Sequence, residues 1–276
     1  MKPSLEVLVA AMNQNDFSLV EKMNMKANAV IANQCSYVGL EERCTSENKF
    51  LMVSTNTRGV GKNRNIGLLF STADILLFAD QDVVYADNMS EIVCDAFDKN
   101  IDADVILFGF NFSKGGKVYK TRCPRSGKIP FLKSLKYGTI SIAVRRNSIL
   151  QKKIMFTELF GGGCLYSHGE DSDFIMRCFK SGLKVYGCRQ IIGCTAKDES
   201  TCFDGYGEKY FFDTGALARN TFGVLSPLYI LYMAIRTKRL ADISLLGKLK
   251  LMIQGYNGFR NGRAYDSNNS FMEITK

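Results

Sequence analysis

Through the first two thirds of the chain, short apolar runs alternate with amphipathic stretches, and their periods assign them to strands and helices. LEVLVAA (5–11), NAVIAN (28–33), KFLMVS (49–54), DILLFAD (74–80) and DVILFGF (104–110) read as strands. DFSLVEKM (16–23), KNRNIGLLFS (62–71) and NMSEIVCDAFDKN (88–100) read as helices, the last with Asn88 as its N-cap. Strands spaced by helices imply βαβ units, hence an α/β fold with a largely parallel sheet. In such sheets ligands bind in the crevice beyond the carboxyl ends of the strands. The segment SKGGKVYKTRCPRSGK, within 111–130, is polar and rich in Gly and Lys, and reads as a hairpin or loop excursion. Pattern returns with GTISIAVR (138–145) and RNSILQKK. SDFIMRCFKSG then forms a helix with Phe174, Ile175, Cys178 and Phe179 on one face and Gly182 as its stop. From these runs, 1–214 is expected to form the main domain and 215–276 a helical, basic extension, whose polar end, NGRAYDSNNS, is expected to be disordered.

Composition narrows the partners. With 276 residues, 46% hydrophobic and 23% charged, the chain matches an ordinary globular protein. A formal charge of +9 points to an anionic partner: nucleic acid, an anionic membrane face or a phosphate-bearing small molecule. The basic residues are spread out and no nucleic-acid motif occurs, so nucleic acid is not expected as a partner. The nine cysteines include no C-x-x-C pair, and several sit inside apolar runs, which fits free thiols in a reducing cytosol. The opening MKPSLEVLVAAMNQND carries Glu6 inside its apolar stretch and does not read as a signal peptide. The longest apolar run, FGVLSPLYILYMAI (222–235), is broken by Ser226 and Pro227 and falls short of the roughly 20 residues of a spanning helix. A cytoplasmic protein is expected. Two readings of 222–240, apolar and carrying RTKR, stay open: peripheral contact with an anionic membrane at the inner face of the cell, or a core helix.

Three segments carry candidate chemistry. The first is ILLFADQDVVY (75–85), where a buried strand ends in Asp80 and Asp82. Two hard oxygen ligands there suit Mg²⁺ or Mn²⁺ beside a diphosphate, although turns also use such pairs. The second is RGVGKNRNIGL (58–68), which opens a helix behind a glycine-containing loop. A helix N-terminus attracts phosphate, and Arg58, Lys62 and Arg64 add charge. No G-K-[ST] follows, so it is not a Walker A loop. The third is LFGGGCLYSHGEDSDF (159–174), in which Gly161, Gly162 and Gly163 precede Glu170, Asp171, Ser172 and Asp173 at a helix start. Helix capping needs one such residue, and the excess suits a general base held near an acceptor hydroxyl. His168, the lone histidine, is a possible metal ligand.

Taken in order, AAMNQND, a second strand ending in Asn33, GVGKNRNIGL, ADILLFADQD and GGG…GEDSDFIMRCFKSGLKVY resemble the family 2 glycosyltransferases over about residues 5–195. The resemblance implies the GT-A fold, an αβα sandwich with a mixed, mainly parallel sheet, and metal-assisted, inverting transfer from a nucleotide-sugar donor to a glycan or lipid-linked acceptor. It implies Asn33 near the nucleobase, Arg64 and Asn65 framing the nucleotide, Asp80 facing the ribose or metal-bound water, and Asp82 on the metal. Asp171 would be the catalytic base, with Glu170 orienting the acceptor or sharing that role. The usual P-x-Y-N after the first strand and the D-D-G-S ending of the second are missing here. The lack of membrane spans and of Q-x-x-R-W resembles capsule or lipopolysaccharide-type enzymes more than processive synthases. A rival is a haloacid-dehalogenase-type phosphatase, with Asp80 as nucleophile and Asp82 as acid. Its D-x-D signature normally opens the domain's first strand, whereas about three strands precede it here.

Overall fold

The fold is that of a computed structural model, which describes residues 3–195, 205–238 and 240–265, and the backbone of 272–273. The chain divides into two compact units, Met1–Phe156 with Phe174–Ser200, and Thr157–Asp173 with Thr201–Lys276. A boundary at 214 would cut the helix Glu208–Leu217, and the glycine-rich loop joins the second unit rather than the first.

The first unit runs β1 (Leu5–Met12), α1 (Ser18–Lys22), β2 (Asn28–Gln34), β3 (Gly39–Cys44), β4 (Lys49–Thr55), α2 (Val60–Phe70), β5 (Ile75–Asp80) and β6 (Val83–Tyr85). It continues with α3 (Met89–Lys99), β7 (Val105–Lys114), β8 (Lys117–Arg122), β9 (Gly127–Lys128), α4 (Phe131–Ser134), β10 (Ile142–Arg145) and α5 (Arg146–Gln151). The helix α6 (Glu170–Lys180) starts in the second unit and enters the first at Phe174, and β11 (Val185–Thr195) completes the sheet. The strand order is β3-β4-β2-β1-β5-β10-β7-β11-β6. β4, β2, β1 and β5 are mutually parallel, as are β7 and β11, while β10 runs antiparallel between β5 and β7. This is the mixed, mainly parallel sheet of the GT-A fold.

Burial on both faces explains the nearly continuous apolar runs of the central strands. Because side chains alternate along a strand, Val7, Val9, Leu77, Ile106 and Phe108 pack on one face with Val93 and Phe97 of α3. Leu8, Leu76, Phe78 and Leu107 pack on the other with Leu68 of α2 and Phe174, Ile175 and Cys178 of α6. There Phe156 stacks on Phe174 at 4.2 Å, and Phe78 meets both rings edge-on.

β3 and β11 are among the strands outside the apolar pattern. β3 is an edge strand whose exposed residues include Glu41, Glu42 and Arg43, and β11 is interrupted by a register shift between Gly187 and Ile191 that breaks its alternation. Asn88 occupies the N-cap position of α3, but its side chain makes no capping hydrogen bond. No disulfide joins the described cysteines.

The second unit contains α7 (Glu208–Leu217), a π-helical turn over Ala218–Phe222, α8 (Ser226–Arg236) and α9 (Leu245–Arg260). A Cβ on Gly215 would strike the backbone of Met252, and one on Gly255 the backbone of Phe212, so α7 and α9 cross with their main chains in contact. Lys248 of α9 is fully buried, and its ammonium donates to the carbonyls of Thr237 (2.7 Å), Lys238 and Ala241 (3.5 Å each) beyond the carboxyl end of α8. That end carries the negative pole of the helix, and the Phe211 ring lies 5.2 Å from the ammonium. Of the expected disordered tail, Arg263–Ala264 pair antiparallel with Met272–Glu273 as β12 and β13, while 266–271 lie outside the described residues.

Candidate active site

In the first unit, three consecutive polar residues of α2 face inward. Asn63 donates to the carbonyl of Ala11 at the end of β1 (3.0 Å). Arg64, almost wholly buried, donates to Oδ1 of Asp80 at the end of β5 (2.9 Å), and its guanidinium lies 5.4 Å from the Phe156 ring. Asn65 donates to the carbonyl of Phe156 (3.0 Å) and accepts from its N–H (2.8 Å). Such pairing is what buried amides and guanidinium groups require. The helix opens at Gly59, whose N–H donates to the side-chain carbonyl of Gln34 (2.9 Å).

The loops beyond β1, β2 and β5 are tied together. Gln81, between the two aspartates, accepts from the N–H of Met12 (2.8 Å) and the side chain of Gln14 (3.2 Å). Asn33 accepts from the N–H of Gln14 (2.9 Å) and donates to its carbonyl (2.8 Å) and to the Ser54 hydroxyl (3.0 Å). Asp80 keeps a partly exposed side chain at the strand end, and the half-exposed Asp82 follows in the turn. Among the described residues, the buried Asn63 Oδ1 and Tyr85 hydroxyl find no hydrogen-bond partner. Burial, reinforced by the charge of Asp80, raises the Tyr85 pKa above its ordinary value.

In the second unit the glycine tract makes a closed turn, in which Gly161 N donates to Tyr166 O (2.8 Å) and Tyr166 N to Leu159 O (2.9 Å). The Phe160 and Tyr166 rings stack beneath it at 4.8 Å. Gly169 sits at φ +111°, where a Cβ would also strike the Leu217 side chain, so both conformation and space demand glycine before Glu170. Glu170 and Asp171 are half-buried in the first turn of α6, where the helix dipole favours negative charge. Asp173 is buried and accepts from Asn220 (2.8 Å) and Thr221 (3.0 Å), holding the π-helical turn.

His168 bonds through Nδ1 to the Ser167 hydroxyl (3.3 Å) and through Nε2 to that of Thr214 (3.1 Å), and it stacks on Tyr210 at 4.3 Å. Burial lowers its pKa from 6.5 more than Asp213 and Glu170 raise it. Asp213 is fully buried and takes three bonds on one oxygen, from Ser167 N and Oγ (2.8 Å each) and the Lys209 ammonium (2.9 Å).

The family model of glycosyl transferase family 2 matches residues 18–156, just over half of the chain, and so includes α2 and the Asp80–Asp82 turn. The chain belongs to glycosyl transferase family 2. No curated protein matches it. Among solved structures it is similar to S. aureus TarS 1-349, at 14% identity and TM-score 0.55 over 94% of this chain and 71% of that one. It is also similar to TarS 1-349 in complex with UDP-GlcNAc, at 15% identity and TM-score 0.56 over 94% and 72%. S. aureus TarS itself gives TM-score 0.58 at 13% identity, over 87% of this chain and 44% of that one. These likenesses are of fold.

In this family 2 glycosyltransferase Asn33, Asn65, His168 and Asp173 are each engaged by internal hydrogen bonds. Asn33 and Asn65 lie at the expected strand end and helix, and their amides bond to Gln14, Ser54 and Phe156, which ties the loops there together. His168 has both ring nitrogens engaged by hydroxyls. Asp173 leaves the acidic cluster for a structural role. Arg64 and Asp80 are brought together, whereas Arg58 is exposed ahead of α2. Lys209 and Asp213 escaped the sequence reading, although a charge inside the apolar run YFFDTGAL was a signal. The phosphatase alternative is not favoured: Asp80 is ion-paired with Arg64, and four strands, β1 to β4, precede its strand.

Proposed function

We propose that the enzyme transfers a sugar, with inversion, from a nucleotide-diphosphate donor to a hydroxyl of a glycan or lipid-linked acceptor of the capsule or lipopolysaccharide kind, on the cytosolic side of the membrane. The observation that carries this reading is the Asp80–Gln81–Asp82 turn at the carboxyl end of β5, held by Arg64 from α2 and tied through Gln81 to the loop after β1. The UDP-GlcNAc bound by TarS supports a uridine diphosphate donor.

Asp80 and Asp82 fit a divalent ion of the Mn²⁺ or Mg²⁺ type. Among the described residues no cluster of three or more His, Cys, Asp or Glu accompanies them, so such an ion would complete its shell with donor phosphates and water, as Mg²⁺ commonly does. Bound there, it would neutralise charge on the leaving diphosphate. Asp171 takes the proton of the acceptor hydroxyl, Glu170 orients that hydroxyl, and the acceptor oxygen bonds to the anomeric carbon. The bond from that carbon to the diphosphate oxygen breaks, and the nucleoside diphosphate leaves with the electron pair. Gly161, Gly162 and Gly163 form the turn offered to the acceptor sugar. Arg58 and the α2 N-terminus supply positive potential to the phosphates.

The test is calorimetric titration of UDP, GDP, CDP and dTDP, with and without Mn²⁺, into the wild type, Asp82→Ala and Asp171→Asn. Binding of one nucleotide is expected to require Mn²⁺ and to weaken at least tenfold in Asp82→Ala. Asp171→Asn is expected to bind normally and to lose transfer by at least a hundredfold, the lower range of a general base. Unchanged Mn²⁺-dependent affinity in Asp82→Ala would remove that residue from the metal site, and near-normal transfer by Asp171→Asn would remove the base.

A further inference from the structure

In α8, Ser226, Ile230, Met233 and Ala234 are buried, and Ile230, Met233 and Ala234 pack with Phe211, Ala218 and Met252. The opposite side of the helix is apolar too: Leu228 (66% exposed), Leu231 (47%), Tyr232 (54%) and Ile235 (58%) stand at i, i+3, i+4 and i+7, which is one stripe. Val224 and Leu225, in the turn before the helix, are also exposed. A surface helix normally turns polar residues to water, and one that is apolar all round is buried on both sides in its working state.

Charge says by what. Between Asp213 and Asp242 the sequence has no acidic residue, while Arg219, Arg236 and Lys238 are exposed. A second copy laid symmetrically on this stripe would bring cations against cations. An anionic bilayer offers apolar depth to the leucines and phosphate to the basic residues. We infer that α8 lies in the plane of an anionic membrane surface, with Leu228, Leu231, Tyr232 and Ile235 in the headgroup–acyl boundary and Arg236 and Lys238 on lipid phosphates. This docking does not rest on the sugar-transfer reading, which nucleotide titration tests separately.

The experiment floats the full chain with phosphatidylcholine vesicles, either pure or with about one third phosphatidylglycerol, the anionic fraction supplying the surface charge. The chain is expected on the anionic vesicles, with at least tenfold weaker retention on neutral ones. Combining Leu228→Ser, Leu231→Ser and Ile235→Ser should abolish retention. Arg236→Gln with Lys238→Gln should weaken it about thirtyfold on anionic vesicles, each basic residue near such a surface contributing about fivefold. All these residues are exposed, so thermal melts should match the wild type and exclude misfolding as the cause. No retention, equal retention on both vesicles, or a dimer dissolved by the serine variant would overturn the proposal, the last by assigning the stripe to a second copy.

Discussion

Asn63, Arg64 and Asn65 stand in a row on α2, and three separate chain segments receive their bonds: the end of β1, Asp80, and Phe156 at the edge of the glycine-rich loop. The segment that reads as nucleotide-contacting chemistry thus also braces the chain internally. Its residue types were legible because buried polar groups need partners, but the partners lie 52, 16 and 91 positions away and no local pattern names them. His168 makes the same point with a measurable consequence. Its pKa is lowered by burial, so below pH 6.5 the unfolded chain takes up a proton that the folded chain resists. The stability gained from keeping this ring neutral is complete above pH 6.5 and is lost as pH falls from there toward the folded-state pKa. Replacing His168 with Gln should flatten the pH dependence of the melting temperature below pH 6.5. An unchanged slope would mean that the ring titrates alike in both states.

Among elements, those with two buried faces were the readable ones. β1, β2, β4, β5 and β7 announce themselves as apolar runs because helices cover both sides of the sheet. β11 does not, since a polar stretch, Cys188–Gln190, interrupts it where the register shifts. The crossing of α7 and α9 was equally silent, because a glycine in a helix pattern reads as a weakness unless its neighbour is known. In the structure Gly215 and Gly255 let the two backbones touch. Gly255→Ala should therefore cost about 1–3 kcal/mol through overpacking, despite Ala being the better helix former. Chemical denaturation checks this, with Gly207→Ala, where an added Cβ meets nothing, as the control. Equal midpoints for the two variants would show that the helices can part without penalty.

For the molecule as a whole, the order of motifs identified the family more surely than any single motif did. The Asp80–Asp82 turn and the Glu170–Asp171 helix start fall where that order puts them. The division of the chain was less legible, because the loop 157–173 is far in sequence from the helices with which it forms the second unit. One outer strand of the sheet, β3, has a different importance. β3 turns five of its six residues to solvent, with Glu42 paired to Lys49 and Arg43 to Glu21 at its surface. A strand edge carries a row of backbone donors and acceptors able to recruit a foreign strand. Glu41, Glu42 and Arg43 act as insulation, since an incoming chain would have to confront them before its backbone could pair. With all three changed to Thr, the same edge should nucleate fibrils that bind thioflavin while the parent protein stays clear. A variant as clear as the parent would place that protection elsewhere. A charged outer strand of this kind thereby bears on how concentrated the enzyme can become before it aggregates.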